Sequence, residues 1–248
     1  MRTLFARIDI AWRAERLKSR TDIELYLLPA LVARGSLALD IGANKGVYSY
    51  HLQKLARVAA FEPMPMLAEK LIRAGFAGMQ VHNCGLGREA GFFDLHVPAH
   101  AKRKHKLNTP AASFRTHSDI AGDHFECFSV EVKRLDDFRF ADVSFAKLDV
   151  EGWEEHVLTG GEDTVARNRP VILIEIVERI APGIFEFLAG FMDRHGYTTH
   201  FVSHGENHLS TLAMLNRDTP QAYNFLMFPR ERETALAAAC NSVLAAQR

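Results

Sequence analysis

The 248-residue chain predicts an α/β fold, an open and mostly parallel sheet with helices on both faces. Two observations predict it. Short apolar runs of strand length alternate with segments whose apolar residues recur at helical spacing, and the strand-like runs at 37–41 and 57–61 each end in a polar turn. No Pro/Gly/Ser-rich linker divides the chain, so residues 1–248 are read as one domain with a substantial core.

Residues 1–34 read as an amino-terminal helical cap. Its first 20 residues carry Arg2, Arg7, Arg13, Arg16, Lys18 and Arg20, with Leu4, Ile8 and Trp12 at helical spacing. That pattern predicts a helix packed on the domain or lying over a ligand site; it also fits a basic amphipathic helix for a membrane surface. Leu37-Ala38-Leu39 is a buried-strand run, and Tyr48, Leu52 and Leu55 mark the helix after it. Arg57–Phe61 is the second strand, Leu67, Leu71 and Ala74 the next helical face, and Met79–His82 the third strand. Gly91–Leu95 and Phe125–Val132 are strand-like and bracket a polar stretch, 96–124, long enough to be a lid. Val143–Leu148 is a strand, Trp153–Leu158 begins a helix, Val171–Ile176 is a strand, and Ile184, Leu188, Phe191 and Met192 mark another helix. Tyr197–Val202 and Asn224–Phe228 supply two closing strands separated by polar residues 203–222, and residues 231–248 form a terminal helix.

Thirty basic and thirty acidic residues give a formal charge of zero, which removes any global electrostatic reason to expect nucleic acid as a partner. Cys84, Cys127 and Cys240 are odd in number and far apart, with neither zinc-type spacing nor a disulfide framework. A reducing cytoplasm fits them. No apolar run reaches membrane-spanning length, and the charged start lacks the apolar stretch of a signal peptide. The oligomeric state is not encoded in any pattern found.

The most informative stretch is Asp40-Ile41-Gly42-Ala43-Asn44-Lys45-Gly46, followed at the end of the second strand by Glu62. Glycines at 42 and 46 let the main chain pass close to a ligand. An acidic side chain at the end of a neighbouring strand accepts hydrogen bonds from both hydroxyls of a ribose. The dinucleotide fingerprint lacks its third glycine, and no Gly-Lys-Ser/Thr phosphate loop follows. Asp40 would repel a pyrophosphate but suits a cofactor carrying an ammonium and a sulfonium, as S-adenosyl-L-methionine does.

A second polar cluster follows Val143–Leu148, where Lys147, Asp149 and Glu151 alternate and would share one side of the sheet if the extended conformation persisted. A carboxylate at such a strand end can take a proton from a reacting group, so Asp149 or Glu151 is the candidate base or substrate-orienting residue. Lys147 also fits a structural role as a buried cation paired with Glu175. The loop 96–124 carries Lys102, Arg103, Lys104, His105 and Lys106, which suits either a solvated charged loop or a lid whose cations favour an anionic ligand. His96, His100, His105, His117 and His124 crowd the same loop, but their irregular spacing matches no metal-ligand motif, and no metal is expected.

The chain resembles the FkbM family of S-adenosylmethionine-dependent methyltransferases. The resemblance rests on Leu39–Gly46, Phe61-Glu62-Pro63, Asn83-Cys84-Gly85-Leu86-Gly87, Arg134-Leu135-Asp136-Asp137-Phe138 and Lys147–Glu154, in the family's order, and covers roughly residues 25–230. It implies a class I methyltransferase (Rossmann-like) fold with a seven-stranded sheet, mostly parallel with an antiparallel last strand. It also implies O-methylation of a hydroxyl on a small molecule or glycan. The expected cofactor pocket is lined by Asp40, Gly42, Ala43, Asn44, Gly46 and Glu62, with Asn83 near the adenine; the expected catalytic residues are Asp149 and Glu151. Other classes consistent with the residues are an N-methyltransferase acting on a macromolecule and a non-catalytic methyltransferase-like binding domain.

Overall fold

A computed structural model describes residues 2–18, 23–98, 107–114, 125–202, 208–214 and 223–247. Helices α1 (Arg2–Lys18) and α2 (Glu24–Leu31) precede three β-α steps: β1 (Leu37–Ile41), α3 (Val47–Leu52), β2 (Arg57–Phe61), α4 (Pro65–Ala74) and β3 (Met79–His82). A small insertion follows, formed by β4 (Gly85–Leu86), β5 (Gly91–Pro98) and β6 (Phe125–Lys133). The chain then returns to the main sheet with β7 (Val143–Leu148), helices α5 (Glu154–Thr159) and α6 (Glu162–Asn168), and β8 (Val171–Glu175). It closes with α7 (Ile184–His195), β9 (Tyr197–Val202), β10 (Leu209–Thr211), β11 (Asn224–Pro229) and α8 (Glu233–Ala245).

The main sheet has the order β3-β2-β1-β7-β8-β11-β9-β10. β3, β2, β1, β7 and β8 pair in parallel, whereas β11 runs antiparallel to both β8 and β9. The closing pair expected at 197–202 and 224–228 is present. The sheet nevertheless has eight strands rather than the seven expected, because Leu209–Thr211, in the stretch read as a polar separator, pairs antiparallel with the free edge of β9. Strands β5 and β6 pair over eight residues and hold the short β4 in a second, three-stranded sheet.

Alternation along the strands feeds two cores. Ala38, Val58, Ala60, Phe145 and Leu173 face α1–α4 and α8, while Leu39, Ile41, Phe61 and Ile172 face α5–α7. This two-faced burial explains why the central strands read as continuous apolar runs rather than as alternating ones. Leu55, read as part of the helical face, falls in the turn after α3, where its carbonyl accepts from Gly35 N.

Helix α1 corrects one expectation. It packs against α3 and α4, but through Ile10 and Ala14; Leu4, Ile8 and Trp12, the residues expected to pack, point outward. Among the described residues, no helix is long and apolar enough to cross a membrane.

Phe145 has no exposed surface at the middle of the sheet. Phe145→Ala should cost about 3–5 kcal/mol by leaving a cavity that the flanking strands cannot close. In a chain of this size that corresponds to a melting temperature lower by about 10 °C in a thermal scan.

Candidate functional site

Strand order reverses between β1 and β7, so the carboxyl ends of these two strands open a crevice beside each other. Their ends nearly touch. Asp149 N donates to Ile41 O at 3.1 Å, and a Cβ on Gly42, whose φ is +83°, would lie 1.9 Å from the Asp149 carbonyl oxygen. Glycine at 42 is therefore required by the protein's own backbone before any ligand is considered.

The turn after β1 is stitched to the end of β2. The N–H groups of Gly42 and Ala43 both donate to Phe61 O, at 3.0 and 2.9 Å. Glu62 then spans the crevice's first wall: its carboxylate accepts from Asn44 N at 2.6 Å and from Met64 N at 2.8 Å. Burial outweighs those two bonds and raises its pKa to about 7. Asn83 donates through Nδ2 to the carbonyls of Glu62, at 2.9 Å, and Pro63, at 3.1 Å, which fixes the turn that presents Glu62.

The second wall comes from the loop after β7. Lys147, with only 2% of its surface exposed, forms an ion pair with Asp149 at 3.1 Å. This replaces the expected Lys147–Glu175 pair: Asp149 sits between Lys147 and Glu175, so Glu175 acts on the lysine only at longer range. The extended conformation does not persist past Leu148, since Glu151 and Gly152 have φ of +52° and +94°. Glu154 holds this loop by accepting from Val150 N and Gly152 N, at 3.4 and 3.1 Å.

Between the walls lies a cavity of about 240 Å³. Glu62, Asp149, Glu151 and Glu175 line it on its polar side, and Leu86, Leu95 and Phe114 on its apolar side. Residues 107–114 form its roof: Asn44 Nδ2 donates to Thr109 O at 3.3 Å, and Ser113 Oγ to the Glu151 carbonyl at 2.6 Å. The basic run Lys102–Lys106, with His100, His117 and His124, lies outside the described residues.

Of the residues expected at the site, Gly42, Asn44, Glu62, Asp149 and Glu151 line this one cavity. The others stand behind it. Asp40 is buried and accepts a hydrogen bond from Ser49 Oγ, with burial raising its pKa. Ala43 packs into the core, and Gly46 faces Leu71 and Ile10, where a Cβ would meet Leu71 Cδ2 at 2.5 Å. Asn83 is exposed on the outer side of the Glu62 turn. Glu175 was not foreseen as a lining residue. Its place at the carboxyl end of the strand next to β7 was the available signal.

The electrostatics favour a cationic guest. Four carboxyl groups face one buried ammonium, and burial together with mutual repulsion raises Glu151 to about 8 and Glu175 to about 7. Asn44 Oδ1 is buried at the same cavity without a hydrogen-bond partner among the described residues. A nucleoside bearing an ammonium and a sulfonium fits this set, since it brings N–H and O–H donors to Asn44 Oδ1 and Glu62 and positive charge to the carboxylates.

The sequence profile of the Methyltransferase FkbM domain matches residues 40–199, more than half of the chain. Methyltransferase 1 of Beauveria bassiana (strain ARSEF 2860) is 30% identical over 148 residues, covering 52% of this chain and 59% of that protein. Among solved structures, a methyltransferase FkbM from Methylobacillus flagellatus KT aligns with a TM-score of 0.50 at 15% identity, over 78% of this chain and 44% of that one. An rRNA methylase from Streptococcus thermophilus aligns with a TM-score of 0.43 at 14% identity, over 83% and 92% of the two chains. The chain thus spans about three-fifths of the curated relative and under half of the FkbM crystal chain.

In an unfolded chain a glutamate releases its proton near pH 4.5, whereas folded Glu151 keeps its own up to about 8. The folded state therefore loses stability as pH rises between those values, and Glu151→Gln removes that loss. The melting temperature of the variant relative to wild type should climb across this window; a constant difference contradicts the shifted carboxyl.

Proposed function

The chain belongs to the Methyltransferase FkbM domain family, and on that premise we propose that it transfers a methyl group from S-adenosyl-L-methionine to a hydroxyl oxygen of a small molecule or glycan. The observation that carries the reading is the single cavity in which Gly42, Asn44 and Glu62 face Asp149, Glu151 and Glu175. S-adenosyl-L-methionine supplies a methyl group on a positively charged sulfur. Glu62 and Asn44 hold the nucleoside, Glu62 through the lone pairs its two backbone N–H bonds leave over and Asn44 through its unpartnered Oδ1. Asp149 and Glu175 set the negative potential that favours a cation there.

Glu151 is the base in this reading, and Asp149 the orienting group. Asp149 is already engaged in an ion pair with the Lys147 ammonium, whereas Glu151 has no cation in ion-pair contact among the described residues. The acceptor hydroxyl gives its proton to the Glu151 carboxylate as its oxygen is methylated, and a base with a pKa near 8 is well matched to that task. Sequestration under the 107–114 roof excludes water from the exchange. The composition of the run Lys102, Arg103, Lys104, His105 and Lys106 supports an acceptor that carries negative charge.

With an acceptor found by labelled methyl transfer into a metabolite extract, turnover at saturating cofactor should rise with pH through a Glu151 pKa that the bound sulfonium lowers from the free site's value of about 8. Glu151→Gln should lower kcat by about 10²–10⁴ and flatten that limb while binding S-adenosylhomocysteine as wild type does. Full turnover in the amide would remove Glu151 from the proton transfer.

A further inference from the structure

Helix α1 turns its apolar side away from the protein. Ile10 and Ala14, 1% and 0% exposed, make its contact with the domain, with Ile10 lying against Gly46 of the turn before α3. Leu4, Phe5, Ile8 and Trp12 are 60%, 64%, 55% and 57% exposed. Positions 4, 8 and 12, with 5 beside them, fall on one side of a helix, so they form a continuous stripe. These four are nearly half of the nine large apolar side chains exposed among the described residues, concentrated on one helix. Burial against the domain does not account for them, and a stripe of this kind marks a surface awaiting a partner.

The charge that the helix carries selects the partner. Helix α1 carries Arg2, Arg7, Arg13, Arg16 and Lys18 against Asp9 and Glu15, a net charge of +3 in a chain whose total is zero. Both acids are already engaged: Asp9 by Arg13 and by Lys70 of α4, and Glu15 by Lys54 at 2.8 Å. Arg16 lies 5.1 Å over the Trp12 ring, an aromatic at the edge of an apolar stripe with a guanidinium reaching past it. That is how side chains sit where a hydrocarbon region meets charged head groups. A second copy docking symmetrically would bring this excess of positive charge against its equivalent, which costs affinity.

We infer that α1 is an interfacial anchor that lays its Leu4–Phe5–Ile8–Trp12 stripe into the surface of an anionic phospholipid bilayer, with no segment crossing it. Apolar burial supplies the depth of insertion, and the cations add attraction to the acidic head groups. Because Ile10 on the opposite side contacts Gly46, such docking carries the candidate cofactor turn to the membrane surface. The inference rests on the fold of α1 and not on the proposed methyl transfer.

Co-sedimentation of the full chain with phosphatidylcholine vesicles, and with an equal mixture of phosphatidylcholine and phosphatidylglycerol, tests it. Wild type should pellet with the mixed vesicles and not with the neutral ones, with binding falling as salt is raised. A Leu4→Ser, Ile8→Ser, Trp12→Ser triple variant should bind about a hundredfold more weakly, and Arg16→Glu at least about fivefold more weakly. The substituted side chains are exposed, so both variants should keep the wild-type melting temperature. The blue shift of tryptophan emission on vesicle addition should be lost with Trp12→Ser. Failure of wild type to pellet with anionic vesicles, or equal pelleting of the triple variant, overturns the inference. So does a dimer in analytical ultracentrifugation that the triple variant dissolves and the vesicles do not, which would identify a second copy as the occupant.

Discussion

The site depends on how closely the ends of β1 and β7 approach each other. Gly42 has no side chain where the Asp149 carbonyl lies, and any Cβ would stand 1.9 Å from that oxygen. This contact sets the Glu62 turn on one side of a narrow crevice and the Asp149–Glu151 loop on the other. Gly42, Asn44, Asp149 and Glu151 are hung from these two strand ends, and the ends are in turn fixed by the parallel register of β1 with β2 and β7. The sheet supplies the position, while the turns supply the chemistry.

The same construction stores electrostatic tension. Four carboxyl groups around one cavity are balanced by one buried lysine, so two glutamates on the second wall hold their protons well above the ordinary range. A protein selected for stability alone would replace such a cluster with apolar residues. Its presence makes sense if a cation completes the site, because positive charge in the cavity lets the acids ionise without mutual repulsion. The buried acceptor on Asn44, without a partner among the described residues, has the same logic: it is a polar atom that a ligand's donor would satisfy.

Much of this was legible in the sequence. Strands at 57–61, 79–82 and 143–148 follow from short apolar runs between turn residues, and the crevice follows from the rule that sites lie beyond strand ends. What was not legible depends on long-range geometry. Glu175 reads locally as a charge closing an apolar run, and only the pairing of β7 with β8 brings it beside Asp149 and into the cavity. Leu209–Thr211 is too short and too polar around its edges to announce a strand; the free edge of β9 creates it. In α1, spacing identifies the apolar stripe correctly but not which way it faces, since Ile10 and Ala14 on the other side make a tighter fit against α3 and α4. Gly46 was assigned to the ligand as a turn glycine and Asp40 for its charge; the fold sets Gly46 against Leu71 and bonds Asp40 to Ser49, contacts that depend on long-range packing.

Calorimetric titration of S-adenosylhomocysteine into wild type and into Glu62→Gln is the most direct test of the claim that a charged nucleoside sits in this crevice against the Gly42–Asn44 turn. At least about a tenfold loss of affinity is expected in the amide variant, the scale of a charge-assisted hydrogen bond, measured below the variant's own lowered melting temperature, since one amide oxygen cannot accept from both Asn44 N and Met64 N. Equal affinity in the two proteins, or binding that survives a bulky residue filling the cavity at Glu62, would contradict it.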